Sequence, residues 1–280
     1  MKSLREMLHA HKLDRVADRI EALARRSIRL AADKESEAAV TRLGGRPNLP
    51  KKLDWPTWRE EPLAFVAQLD LTTLPRLDDV PLPATGSLYF FYEGGENAWG
   101  FSPEDKGSCC VLHSPTPLTD SPLRNLPEEL EGHLRFKGVR LSPEPVELTA
   151  PGLEDKILAD LGMTMDEREA YFAFQQEWTE THAGCIHRIG GYPECIQGDP
   201  KLEAHLVSHG LYCGDSSGYK TGKEKGLWPG SVDWKLLLQV DSEDRADMMW
   251  GDVGRLYFLI HKTALEKRQF DKTWLVFQCS

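Results

Sequence analysis

Cys185 and His187 are the residues of this sequence best able to do chemistry together. One residue apart on a strand, they would project from the same face, bringing a thiol and an imidazole within reach as nucleophile and base. No third group that would orient the imidazole is identifiable. His182, Cys185, His187 and Cys195 could also be drawn as four zinc donors, but their spacing matches no common zinc module. Asp247 and Asp252 could supply a carboxylate pair to work with His187 as acid and base. None of these sets is complete, and the expectation is no catalytic residue, no metal and no cofactor.

Two further candidates fail on spacing. Gly218-Tyr219-Lys220-Thr221-Gly222 lies in a Gly- and Lys-rich stretch, but a phosphate-binding P-loop needs four residues between its glycines and then Gly-Lys-Ser/Thr. Here three residues intervene, and Lys223 is followed by Glu224. The run from Asp241 offers oxygen ligands, but the fifth and sixth positions are Arg245 and Ala246, where a calcium loop needs an oxygen ligand and a glycine.

The acidic segment 241–252 remains. Asp241, Glu243, Asp244, Asp247 and Asp252 stand beside Trp250 and the adaptable side chains of Met248 and Met249, a mixture that suits a protein interface. The alternative is a solvated loop between strands with Trp250 buried. The net charge of −10 disfavours nucleic acid and anionic membrane surfaces and favours a basic protein partner.

These residues need elements to hold them. The N-terminus runs into a charged amphipathic pattern without an apolar leader, and no stretch approaches about 18 apolar residues. The expectation is a cytoplasmic protein whose six cysteines are reduced. Ser3 and Glu6 form a capping box, and Leu4, Met7, Leu8, Val16, Ile20 and Leu23 recur at helical intervals, so residues 1–36 read as an N-terminal helix. Apolar runs at 63–67, 88–92, 109–112, 236–238, 256–260 and 274–277 read as strands. Helices are expected after the Thr164–Glu167 capping box and over 200–208. Strands and helices without regular βαβ alternation give an α+β fold.

The chain also repeats itself. Arg42-Leu43-Gly44-Gly45-Arg46-Pro47, Phe65-Val66-Ala67-Gln68-Leu69-Asp70 and Gly86-Ser87-Leu88-Tyr89-Phe90 recur in the same order. Their counterparts are Arg188-Ile189-Gly190-Gly191-Tyr192-Pro193, Leu236-Leu237-Leu238-Gln239-Val240-Asp241 and Gly254-Arg255-Leu256-Tyr257-Phe258. The distance from Gly191 to Gln239 is about twice that from Gly45 to Gln68, so the second half holds an insertion. Gly-Gly-x-Pro permits positive φ and then fixes φ at the proline. A glutamine that closes an apolar strand must find partners, and Gln68 and Gln239 are expected to bond backbone at a pseudo-symmetric seam. The expectation is one domain over 1–280, strand-rich and internally duplicated, with pseudo-two-fold related halves at 40–150 and 151–280.

Gly44-Gly45-x-Pro47 with Leu49-Pro50 and Trp55-Pro56, then Pro62-Leu63-x-Phe65-x-x-Gln68, resembles the YwqG-like family of bacterial proteins. The second half agrees through His187-Arg188-x-Gly190-Gly191-x-Pro193 with Gln197, Leu237-Leu238-Gln239-x-Asp241, and Trp250-Gly251-Asp252-x-Gly254-x-Leu256-Tyr257-Phe258. The resemblance implies an α+β domain of unknown function with a duplicated core. It also implies relatives among the immunity proteins encoded beside bacterial polymorphic toxins, and it carries no catalytic residues over. The leading expectation is a non-enzymatic binding module, an immunity protein being one form of it, that uses the acidic segment. The alternative is an enzyme or small-molecule binder with a pocket between the repeats near His187, Arg188, Gln197, Gln68 and Gln239.

Overall fold

The computed structural model describes residues 3–180 and 185–280, without the side chain of residue 180. At the N-terminus the capping box forms, with Ser3 Oγ accepting from Glu6 N–H and the Glu6 carboxylate accepting from Ser3 N–H. The single helix expected there is corrected to α1 (Leu4–Ala10), α2 (Asp14–Leu23) and the strand β1 (Arg25–Glu35). Lys12, at φ 60°, closes α1. From Arg26 the side chains alternate, Arg26-Ser27-Ile28-Arg29-Leu30, and that period of two puts Ile28 and Leu30 on one face, in the core.

The first half continues with β2 (Arg42–Leu43), the hairpin β3 (Thr57–Trp58) and β4 (Glu61–Pro62), then β5 (Ala64–Asp70), β6 (Ser87–Tyr92) and β7 (Cys109–Ser114). After them come β8 (Val139–Pro143), β9 (Glu147–Thr149) and α3 (Met165–Glu180). The second half holds β10 (His187–Gly190), α4 (Pro200–Ser208), α5 (Glu224–Leu227), β11 (Trp234–Asp241), β12 (Arg255–His261), α6 (Lys262–Glu266) and β13 (Trp274–Gln278). The helices expected after Thr164 and from Pro200 are both present.

One sheet runs β13-β12-β11-β10-β1-β8-β2-β5-β6-β7, every pairing antiparallel, with β9 also on β1. It curls until its edges nearly meet. Phe277 N–H of β13 donates to Trp99 O at 2.9 Å, and Cys109 Sγ of β7 lies 3.6 Å from Thr273 O. The main core fills the inside, where Phe90 and Phe258 from opposite halves meet edge to face at 5.1 Å. On the outside, α1, α2 and α3 share a second core of Leu8, Val16, Ile20, Tyr171 and Phe174. This is a mixed, strand-rich α+β protein. No helix among the described residues is long and apolar enough to cross a membrane.

The repeated motifs make matching contacts. Gly44, Gly45, Gly190 and Gly191 all have positive φ, between 49° and 69°, and a Cβ on Gly44 would lie 2.3 Å from Lys137 O. After each turn the chain folds back over a buried glutamine. Gln68 Oε1 accepts from Asn48 N–H and Gln68 Nε2 donates to Val40 O; Gln239 Oε1 accepts from Glu194 N–H and Gln239 Nε2 donates to Ile186 O, all within 2.9 Å. Tyr89 Oη donates to Asn48 O and Tyr257 Oη to Glu194 O, each at 2.6 Å. Register shifts fall at Val66 in β5 and at Leu237 in β11.

Gln239→Leu keeps the volume and strands one buried N–H and one buried carbonyl. Each such loss costs about 1–3 kcal/mol, so the variant should lose on the order of 3 kcal/mol in urea unfolding. An unchanged midpoint would mean that these bonds do not hold the turn.

Candidate functional site

The chemistry-bearing residues gather where β10 begins and β11 ends. The Asp241 backbone N–H donates to His187 Nδ1 at 3.2 Å, and His187 Nε2 faces Glu243 Oε2 at 3.5 Å. Arg245 closes over the same carboxylate, with Nε 2.8 Å from Oε1 and Nη2 3.1 Å from Oε2. Cys185 Sγ donates to Ser242 O at 2.9 Å, and Ile186 N–H donates to Asp241 Oδ2 at 3.0 Å. His187 and Glu243 are buried; Cys185 is partly so.

The hydrogen bond from His187 is the main cause that holds the Glu243 carboxyl down at about 2, with Arg245 adding to it against the cost of burial. Burial, then the neighbouring Glu243 and Asp241 carboxylates, pushes the Cys185 thiol up to about 11. The thiol is therefore held away from its nucleophilic form.

Cys185 Sγ, a His187 ring nitrogen and a Glu243 oxygen lie within 4.8 Å of one another, close enough to hold a metal ion. Their hydrogens argue otherwise. A backbone N–H can only donate, so Nδ1 is the acceptor and the ring proton sits on Nε2, the nitrogen that would have to bind the metal or take the thiol proton. A guanidinium already neutralises Glu243. One bond thus counts against both the zinc and the Cys–His readings. Thr41 plays the same part in the first half, its Oγ1 accepting from Asp70 N–H at 2.9 Å. Of the four zinc donors drawn from sequence, His182 lies outside the described residues, and Cys195 Sγ turns to Pro193 O instead. No hydrogen bond or ion pair joins His187 to Asp247 or Asp252 among the described residues, and both carboxylates are exposed.

The acidic segment divides in two. Asp241 and Glu243 are buried and paired, and Trp250 is core, packed edge-on against Phe136 and Tyr92. Asp244, Asp247 and Asp252 face solvent beside Met249 and Val253, which are 53% and 60% exposed. Asp247 pairs with Lys137 at 3.0 Å.

The residues drawn as a pocket do not converge. Gln68 and Gln239 are spent on backbone, Gln197 is exposed, and Arg188 lines a cavity. Arg188 pairs with Glu194 at 2.9 Å and with Glu147 at 3.3 Å. Arg255, missed in the sequence beyond its place in the repeat, pairs with Asp241 at 3.2 Å. The antiparallel register that sets Arg255 opposite Asp241 is seen only in the folded sheet.

A family model described as a domain of unknown function, DUF1963, matches residues 41–279. The chain belongs to the DUF1963 family. No curated protein matches the sequence. The DUF1963 region takes in both sets of Gly-Gly turns and both glutamines, while α1, α2 and β1 precede it.

Two buried carboxyls give this protein opposed pH dependences. Glu243 lies below its ordinary 4.5, so its contribution is present above that value and lost as pH falls toward about 2. Burial raises Glu203, which accepts from Gln278 Nε2, from 4.5 to about 8, so stability is lost as pH rises through that range. Thermal unfolding should show Glu203→Gln more stable than the parent at pH 8 and little different at pH 4. Glu243→Gln should be less stable at neutral pH, with the deficit shrinking toward pH 2. Parallel pH profiles for parent and variants would contradict both assignments.

Proposed function

We propose that the protein is a non-enzymatic binding module, built by internal duplication, that takes a basic protein at the surface formed by residues 244–253. The observation that carries this reading is the pairing of Met249 and Val253, large and exposed, with three solvent-facing carboxylates at Asp244, Asp247 and Asp252. Apolar contacts ringed by charge suit a protein interface. The backbone there is strained as well. Val253 sits at φ 52° and Asp247 at φ 55°, and Glu96 at φ 60° accepts from Gly251 N–H at 3.1 Å. A β-branched residue at positive φ persists only where its surroundings impose it, and such strain collects at functional loops. The locked tautomer of His187 and the raised Cys185 thiol weigh against catalysis nearby.

Duplication is supported by contacts that recur at the same spacing. Arg42, Asn48 and Val40 stand to Gln68 as Arg188, Glu194 and Ile186 stand to Gln239. The sheet order is also symmetric about the β1–β8 pair: β1 lies on β10 of the second half and β8 on β2 of the first. β1, which precedes the first repeat, thus joins the strands of the second, and the β1–β8 pairing makes the two halves one sheet. The resemblance to the YwqG-like family supports a narrower form, an immunity protein whose basic partner is a toxin.

Asp244→Asn, Asp247→Asn and Asp252→Asn together should weaken capture of a basic partner by on the order of tenfold at low salt and flatten its salt dependence. Met249→Glu should weaken capture at high salt too. A partner identified by mass spectrometry from lysate of the native cells and then bound equally by all variants would remove this surface from consideration.

A further inference from the structure

A cavity of about 380 Å³ opens between α3, the segment after β9, and the outer face of β10 and β12. Its floor is ionic. Arg188 Nη2 lies 2.9 Å from Glu194 Oε1, and Arg255 Nη1 lies 3.9 Å from Glu194 Oε2, so cation, anion and cation stand in a row. Its walls are aromatic, with Phe172, Phe174 and Trp178 from α3 facing Tyr192.

The floor has unused bonding capacity. Arg188 is only 3% exposed, yet its Nε has no hydrogen-bond partner among the described residues, and neither does the buried Oε2 of Glu194. Leaving such groups unmade is costly in a buried site. Other contacts hold both side chains, since Arg188 Nη1 donates to Tyr192 O and Glu194 Oε1 is held by Arg188 Nη2 at 2.9 Å. They cannot turn to satisfy themselves. What completes them must bring an acceptor to the guanidinium and a donor to the carboxylate. A simple anion serves the first and repels the second, and a simple cation does the reverse.

We propose that this cavity binds a free α-amino acid with an apolar or aromatic side chain. The zwitterion carries both charges on one carbon. Its carboxylate meets Arg188, its ammonium meets Glu194, and its side chain enters the space among Phe172, Phe174 and Trp178. The volume falls within the range of small-molecule sites. This site lies on a different set of residues from the acidic surface, so either can stand without the other.

Gly152 allows a steric test. A Cβ built there meets Glu154 Oε2 at 3.2 Å, Cys195 Sγ at 3.9 Å and Gln175 Nε2 at 4.0 Å, all groups that line the cavity, and its φ lies outside the left-handed region. Gly152→Phe therefore places a ring in the cavity from a backbone that tolerates one.

The experiment is thermal unfolding of the full chain with phenylalanine, tryptophan, leucine or glycine, and with two analogues of phenylalanine. One is the amide, which lacks the carboxylate; the other is 3-phenylpropionate, which lacks the ammonium. The apolar amino acids should raise Tm by on the order of 5 °C at about a hundred-fold excess over Kd, while glycine and both analogues should not. Gly152→Phe, with unchanged circular dichroism, should abolish the response. Should Gly152→Phe fail to fold, Phe172→Ser serves instead, since that ring is 53% exposed; it should reduce the response to phenylalanine more than to leucine. No shift with any amino acid overturns the proposal. So does an equal shift from either analogue, a response that survives in Gly152→Phe, or, where Phe172→Ser is used, an unchanged preference between the two ligands.

Discussion

Two buried side-chain amides hold this fold in register. After each Gly-Gly turn the chain folds back over a strand of the sheet, and a backbone N–H of the returning segment, Asn48 or Glu194, takes its partner from a side chain of that strand. Gln68 and Gln239 supply it from the middle of β5 and β11, each taking one N–H and giving one to a carbonyl. Leucine would bury as well and satisfy nothing. Because each glutamine joins the strand before the turn to the segment after it, the turn, the strand pairing and the overlying segment are fixed together. Placement of Arg188 and Glu194, and hence of the cavity floor, follows from the second of these amides.

The same economy of hydrogen bonds decides what the Cys185–His187 pair can do. Proximity alone would suit a nucleophile or a metal. The deciding detail is a backbone N–H at the end of β11, which claims Nδ1 and so assigns the ring proton to Nε2. That requirement predates any chemistry in the sense that Thr41 meets it in the first half with a hydroxyl. His187 meets it with a larger group, and the extra length carries Nε2 out to Glu243, where it helps to depress that carboxyl. The pair is then a brace between β10 and the loop after β11.

Much of this was legible because certain residue types admit few explanations. Tandem glycines before proline announce positive φ, and a glutamine inside an apolar strand announces a backbone partner. Both inferences concern what a side chain or backbone must have, and they held at Gly44, Gly190, Gln68 and Gln239. The reading of residues 1–36 failed because amphipathic spacing at Val16, Ile20 and Leu23 ran on into the alternation at Arg26–Leu30, and helical and strand periods overlap over so short a stretch. The link from His187 to Glu243 was beyond reach. It depends on how β11 pairs with β10, where Arg188 stands opposite Gln239 across strands far apart in sequence. Exposure was equally hidden: five carboxylates in one segment look alike as letters, yet Asp241 and Glu243 turn inward while Asp244, Asp247 and Asp252 do not.

If the halves descend from one unit, function belongs where they have ceased to match. At matched positions the first half keeps Asn48 where the second has Glu194, Ser87 where the second has Arg255, and Thr41 where the second has His187. Each change adds a charged or ionisable group to the second half, and two of the three lie on the floor beneath α3. The first half spends the corresponding space on packing: Phe65, Tyr89 and Phe91 are buried there beneath Trp55 and Leu49. A copy that carried only structural duty would have no reason to exchange a neutral amide for a carboxylate that must then be neutralised by two arginines. The Arg188–Glu194–Arg255 row is present in one half only, because the residues at the matched positions of the other half are Arg42, Asn48 and Ser87, which put one charge there instead of three.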